Sequence, residues 1–308
     1  MLKRMSLKKI LVCSLAIFSL SILHFIPNKN LKTKQVVEYV DQNNKAFVFL
    51  ENNQEYLTRV SIDIKNTETE KKARELINSL ISGNSKIFKG TIPKKTKINS
   101  IKYEGNIIKI DFSKELLNVS KKKEEKMIES IVYTLTNIDG VHYVIIYIDG
   151  EILTMLPKSK TKIPATLDRS FGINKEYNIT SDKNINQTTI YYIENFHNQE
   201  YYVPVTKVSN DTRDKIEIIV DELSHTNYNH KLMSYLNSNT RLVSSSLENN
   251  NFKLVFNDYI LNDSDNQEIL KEVIDTICMS IEDNYNVESV SFVVNDQEIN
   301  KTDLKSLE

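Results

Sequence analysis

One pattern of about 110 residues is written twice along this chain, which confines the fold to something built from a single unit used two times. The stretch from Ala46 to Glu151 recurs, eroded, from Thr189 to Glu298. The tetrad Asn53-Gln54-Glu55-Tyr56 returns as Asn198-Gln199-Glu200-Tyr201, and the helical spacing Ala73, Leu76, Ile77, Leu80 returns as Ile216, Ile219, Val220, Leu223. Lys109-Ile110, Phe112 and Leu117 return as Lys253-Leu254, Phe256 and Leu261. A second helical stripe, Met127, Ile128, Ile131, Val132 and Leu135, aligns with Ile269, Leu270, Val273, Ile274 and Ile277. Apolar spacing is what repeats, while polar residues mostly do not. A duplicated core under divergent surface chemistry points to a building block before it points to an enzyme.

The elements follow from period and punctuation. Ala46–Leu50 and Tyr56–Ile64 read as a hairpin turning at 51–54. Thr67-Glu68-Thr69-Glu70 has the spacing of a capping box ahead of an amphipathic helix, and Gly83 suits its stop. Strands follow at 97–103 and 107–112, where Ile108, Ile110 and Phe112 alternate with Lys109 and Asp111, the pattern of a sheet with one wet face. The basic run Lys121–Lys123 opens a second helix that ends at Asp139-Gly140, and Val144, Ile146 and Ile148 make a last strand before Asp149-Gly150. Each repeat thus reads strand, strand, helix, strand, strand, helix, strand. The expected fold is α+β: two tandem repeats, each a mixed or antiparallel sheet with two helices packed on it.

The N-terminus bears on compartment. Lys3, Arg4, Lys8 and Lys9 precede an apolar run from Ile10 to Ile26, about 17 residues and so at the lower limit for spanning a bilayer. Basic residues ahead of the run keep the N-terminus cytoplasmic and export the rest. A cleaved signal peptide is the alternative, but Ser19-Leu20-Ser21 is a poor small-x-small site and Phe25-Ile26-Pro27 is none. Cys13 sits too early, behind Ile10-Leu11-Val12, for a lipoprotein cysteine. The reading is an anchor over 1–27, a spacer over 28–44, a first repeat over 45–152, a linker over 153–187 and a second repeat over 188–300. At more than 30 residues the linker is long for a bare connection, so part of it, notably Arg169–Asn174, is expected to pack on a domain.

Charge and cysteine usage exclude several classes. The formal net charge is −1, and the five basic groups of the first 30 residues leave 35 basic against 41 acidic groups beyond them. That mildly acidic exterior carries no footprint for nucleic acid. Cys278 is the one cysteine of the exported part, so no intrachain disulfide forms there and it reads as a small core residue.

Catalytic and metal chemistry finds little to build on. Glu124, Glu125 and Glu129 are expected on a helix surface, and Asp111 on the wet face or capping a turn; its counterpart in the second repeat is Val255. His197, His225 and His230 fall in turns and loops, short of a converging ligand set. No Gly-x-Ser-x-Gly elbow or glycine-rich phosphate loop occurs. No residue is assigned as catalytic, cofactor-binding or metal-binding, and no cofactor is implied. The pairs Tyr191-Tyr192 and Tyr201-Tyr202 stand on facing strands; they either pack across the hairpin or present rings on an exposed face. Lys121–Lys123 reads as a solvated helix start.

The residues Ile92-Pro93-Lys94-Lys95-Thr96-Lys97-Ile98, Ile107–Phe112, Tyr133-Thr134-Leu135-Thr136 and Val144–Gly150 resemble the GerMN-domain family of sporulation and spore germination. The likeness is good over 46–151 and weak over 189–298. It implies a fold akin to ring-building motifs, an N-terminal membrane attachment, and a setting between the mother cell and forespore membranes. There such domains help assemble a secretion-like channel. Two departures stand out. The familiar member attaches through a lipoprotein cysteine, and the second repeat replaces the closing Asp-Gly by Asn295-Asp296.

The expectation is a single-pass cell-membrane protein, held by residues 10–26 with its repeats outside the cytoplasm, a non-enzymatic scaffold acting by association. Its partners would be other envelope or sporulation proteins, or further copies in a homo-oligomer or ring. The rival is an envelope module recognising peptidoglycan or a germinant, with an aromatic groove near Tyr192 and Tyr201. A hydrolase would need two converging carboxylates.

Overall fold

The computed structural model describes residues 45–83, 87–196, 199–225, 231–263 and 267–307. The proposed anchor and spacer, Cys13, His197 and His230 lie outside them. Strands β1 (Lys45–Glu51) and β2 (Leu57–Asp63) pair antiparallel, and the Asn52 carboxamide ties their turn by accepting from the N–H groups of Gln54 and Tyr56, each at 2.9 Å. Helix α1 (Thr69–Ser82) buries Ala73, Leu76, Ile77 and Leu80. It stops at Gly83, whose φ of 72° suits a glycine and whose N–H bonds Ser79 O. Gly90 lies against that helix end so closely that a Cβ there would stand 2.6 Å from Leu80 O.

The capping box does not form. Glu68 is the N-cap without a side-chain bond, and the Glu70 carboxylate instead accepts from Tyr103 N at 2.9 Å on the next sheet. A tertiary partner has outbid the local one.

That sheet runs β3 (Ile98–Glu104), β4 (Ile107–Phe112), β5 (Tyr143–Ile148) and β6 (Glu151–Ile152). β4 and β5 pair in parallel because α2 (Glu124–Leu135) forms the crossover between them. The helix ends four residues ahead of Asp139; consecutive turns, Ile138 N to Leu135 O and Val141 N to Ile138 O, carry the chain to β5. Lys121–Lys123 forms a separate 3-10 turn before it.

The second repeat rebuilds the unit. Hairpin β8 (Asn186–Phe196) and β9 (Gln199–Ser209) leads to α3 (Lys215–Ser224), and α4 (Lys271–Asn284) crosses between two parallel strands. The sheet order is β10 (Leu242–Glu248), β11 (Asn251–Phe256), β12 (Ser289–Val294), β13 (Gln297–Asp303). The short β7 (Glu176–Asn178) precedes β8. Each repeat therefore has a fourth sheet strand beyond the sequence pattern, reached through a tight turn of positive-φ residues: Asp149-Gly150 in one, Asn295-Asp296 in the other.

The repeat of the second helix is one turn away from the sequence alignment. Ile269 and Leu270 precede α4, and the residue equivalent to Met127 is Val273. In this register buried Ser130 matches Thr276, Thr134 matches Ser280, and Glu129 matches Asp275. One hydrogen bond repeats with it: Phe49 N donates to Thr134 Oγ1 at 3.0 Å, and Tyr191 N to Ser280 Oγ at 2.9 Å. Each crossover helix thus holds its own hairpin through a hydroxyl.

The two hairpins join in one sheet, with Arg59 of β2 opposite Tyr202 of β9 in antiparallel pairing. Phe49 and Tyr191 are equivalent, and their strand partners are Arg59 and Pro204. Arg59 is therefore the counterpart of Pro204, and Leu57 that of Tyr202. Equivalent strands meet about a local pseudo-twofold, as two subunits of a symmetric dimer would.

Candidate functional site

Continuing the register from Arg59 and Tyr202 brings Leu57 opposite Pro204, which has no N–H to give. Asn174, at a φ of 46°, fills the place. Its carboxamide accepts from Leu57 N and donates to Leu57 O and Pro204 O, each at 2.8 Å. Its own N–H donates to Glu129 Oε2 at 3.0 Å. Lys175 follows, 2.6 Å from Glu125 and 3.4 Å from Glu129, with its ammonium 3.8 Å from the Phe171 ring centroid.

Arg169 begins this segment. It lies over the Tyr133 ring, donates to Thr136 Oγ1 and Asn137 Oδ1 at 3.2 Å each, and pairs with Asp283 of α4, whose side chain is fully buried. Burial alone would lower the Arg169 pKa, but the Asp283 carboxylate outweighs it and the guanidinium is held above its usual range. From the other side, Arg59 reaches Leu307 O at 2.9 Å and stacks over Phe47. Residues 169–175 of the expected linker are therefore a wedge between the repeats, and the described residues form one compact unit.

The acidic residues of α2 correct the surface reading. Glu124 and Glu129 are buried and Glu125 is half-buried, because the wedge and the 158–159 loop cover the face that a lone repeat would leave wet. Burial raises the Glu129 pKa although Lys175 opposes it. Glu124 is different: burial would raise it, but the N–H groups of Lys158 and Ser159, at 2.8 and 2.6 Å, lower it on balance. A depressed native pKa gives stability that is present above 4.5 and lost as pH falls through the native value. Glu124→Gln should therefore flatten the acid limb of a melting-temperature profile below pH 4.5 and lower the melting temperature at neutral pH; an unchanged acid limb would contradict the role.

Tyr191 and Tyr192 are buried, not displayed. The Tyr192 hydroxyl donates to Glu222 at 3.1 Å, and that of Tyr202 to Asp275 at 2.7 Å. Tyr201 packs edge-on against Phe88 at 5.0 Å. Packing claims these rings, since both helices of the second repeat press on β8. Asp111 faces the wet side and accepts from Gly150 N at 3.1 Å. His225 closes α3 with Nδ1 3.2 Å from Asp221. Lys123 pairs with buried Glu51 at 2.9 Å, while Lys121 and Lys122 are exposed. Cys278 is fully buried, which pushes its thiol pKa up. Among the described residues no three His, Cys, Asp or Glu side chains gather as a metal site, and no helix is long and apolar enough to cross a membrane.

The sequence reading missed the outward face of the first sheet. Ile107, Tyr143, Ile145, Tyr147 and Ile152 are register partners on the side of Lys109 and Asp111. Tyr143 is 38% exposed and Ile152 45%. The signal was present: Tyr143–Ile148 is apolar at every position, so the strand has an apolar outer face as well as an inner one. In the second repeat Asn251, Ser289 and Ser291 stand where Ile107, Tyr143 and Ile145 do.

The family model described as Germane, sporulation and spore germination, matches residues 39–154 and 189–300. The spore germination protein GerM of Bacillus subtilis (strain 168) is 31% identical over 241 residues, covering 74% of this chain and 66% of that relative's length. The solved tandem GerMN domains of the sporulation protein GerM from Bacillus subtilis superpose with a TM-score of 0.74 at 26% identity, over 82% of this chain and 91% of that one. With the family model covering both repeats and the tandem architecture shared, this chain belongs to the Germane family of sporulation and spore germination proteins.

Proposed function

We propose that this chain is a non-enzymatic assembly component of sporulation and germination, attached to the membrane by residues 10–26 and acting outside the cytoplasm through packing of its repeats against neighbouring proteins. The observation that carries the reading is the apolar outer face of β5, with Ile107 of β4 and Ile152 of β6 beside it, set on a body made rigid by the wedge. A contiguous apolar face with a few flanking charges is the chemistry of a protein contact. The fusion of the repeats adds to this, since a rigid block transmits orientation to whatever it binds. Envelope ligand recognition, the rival, needs free rings at Tyr192 and Tyr201. Tyr192 is buried and Tyr201 is packed on Phe88.

The test exchanges the first repeat's face for that of the second. Tyr143→Ser with Ile145→Ser removes exposed and half-buried surface and leaves the core-facing Val144 and Ile146 untouched. The doubly substituted protein should fold and reach the membrane fraction yet fail to restore spore formation or germination in cells lacking the wild-type chain. Full restoration would contradict the reading, and retention of the purified protein on peptidoglycan would favour the rival.

A further inference from the structure

The first repeat shows what normally covers the edge of this sheet. Glu70, in the first turn of α1, accepts from Tyr103 N on the outer edge of β3, and Ile101 beside it is buried. In the second repeat the equivalent of Glu70 is Arg213, which cannot accept a hydrogen bond and is engaged with Asp211 and Asp221. Helix α3 begins only at Lys215 and has 10 residues against the 14 of α1. The matching strand is β10. Its register with β11, including a bulge at the same place, makes Leu247 the counterpart of Tyr103 and Ser245 that of Ile101.

Uncovered, this edge is open. Val243 is 66% exposed and Leu247 59%, and Ser244, Ser245 and Ser246 are exposed between them. Between the strand and the N-cap of α3 a cleft of about 210 Å³ remains, lined by Asp214, Ser245, Ser246, Leu247, Phe252 and Tyr285. Open edges are ordinarily guarded by charge, proline, brevity or cover. Among the other edge strands of the two four-stranded sheets, β3 has its helix and Lys102, β13 carries Glu298, Lys301 and Asp303, and β6 has two residues. β10 has one charge, Glu248 at its end.

We propose that β10 is a self-association edge that pairs antiparallel with β10 of a second copy, about a twofold axis at Ser245. The inference deepens the assembly reading above by naming a surface and an occupant. The strand Val243-Ser244-Ser245-Ser246-Leu247 is self-complementary: reversed on itself it sets Ser244 against Ser246 and Val243 against Leu247. No like charges meet, since the two Glu248 residues fall at opposite ends. The Tyr103 N–H points outward, so its counterpart Leu247 and the alternate residue Ser245 present their backbone groups to the open edge. An isologous pairing through Ser245 satisfies both at once. The chain already joins equivalent strands this way at β2 and β9.

The test is oxidative cross-linking of the full chain in membranes, in a Cys13→Ser background that keeps the buried Cys278, with one cysteine added at 244, 245 or 246 and the background chain as the blank. Directly opposed residues of a hydrogen-bonded antiparallel pair lie about 5.5 Å apart at Cα, within disulfide reach. Ser245→Cys should cross-link at least fivefold more than Ser244→Cys or Ser246→Cys alone, and mixing those two variants should restore cross-linking. In the same membranes Ser245→Lys should cut dimer recovered with an amine-reactive cross-linker at least fivefold, with thermal stability unchanged because the side chain is exposed. Equal cross-linking at all three positions, or none at 245, would overturn the proposal. Failure here leaves the assembly reading standing, because the Tyr143 and Ile145 substitutions test that separately.

Discussion

Asp283→Ala should lower stability by about 3–5 kcal/mol, the cost of leaving one partner of a buried ion pair uncompensated. Arg169 would then lie over Tyr133, with Thr136 and Asn137 as neutral partners, no ion-pair partner, and Glu282 as the remaining acidic neighbour. At this chain length that corresponds to a fall in melting temperature of roughly 8 °C. The pair links the wedge after the first repeat to α4 of the second, so loss of the carboxylate acts on the junction and not on one repeat's core. Replacing both members, Arg169→Leu with Asp283→Leu, should recover part of the loss, since two apolar groups leave no stranded charge. Thermal unfolding of the single and double variants measures this. A single variant within 1 °C of wild type would show that the pair does not bind the repeats together.

Asn174→Ala should cost on the order of 3 kcal/mol, because three buried backbone groups lose the side-chain partner that Asn174 gives them. Those groups are Leu57 N–H, Leu57 C=O and Pro204 C=O. Alanine also fits poorly at a φ of 46°. Asn174→Gly separates the two causes: glycine removes the backbone strain and leaves the groups unpaired. If hydrogen bonding dominates, the glycine variant should remain destabilised nearly as much as the alanine variant in denaturant unfolding. Recovery to wild-type stability would assign the effect to the backbone alone.

The fold was legible wherever apolar spacing decides structure, and opaque where single polar residues do. Ile108, Ile110 and Phe112 alternate visibly, and Ala73, Leu76, Ile77 and Leu80 mark one helical stripe. The same logic misplaced α4 by a turn. A shift of about one turn nearly preserves a helical stripe, and Ile269 and Leu270 are apolar enough to extend it. The deciding marks were the buried polar residues, Ser130 with Thr276 and Thr134 with Ser280, which an apolar template ignores. The junction left even less trace. Asn174, Arg169 and Asp283 act through partners up to 117 residues away, with no period to reveal them. The burial of Tyr191 and Tyr192 was hidden for a related reason: the strand pattern does not show that both helices of the second repeat pack on β8.

The account turns on the repeats being one body, and native-state amide hydrogen exchange tests that most directly. Backbone amides of α2 and α4 should exchange through a common opening of equal free energy, and both should weaken by the same amount in Asn174→Ala. Amides of one repeat that open at lower free energy, or that weaken alone in the variant, would contradict a fused block and leave two beads on a string.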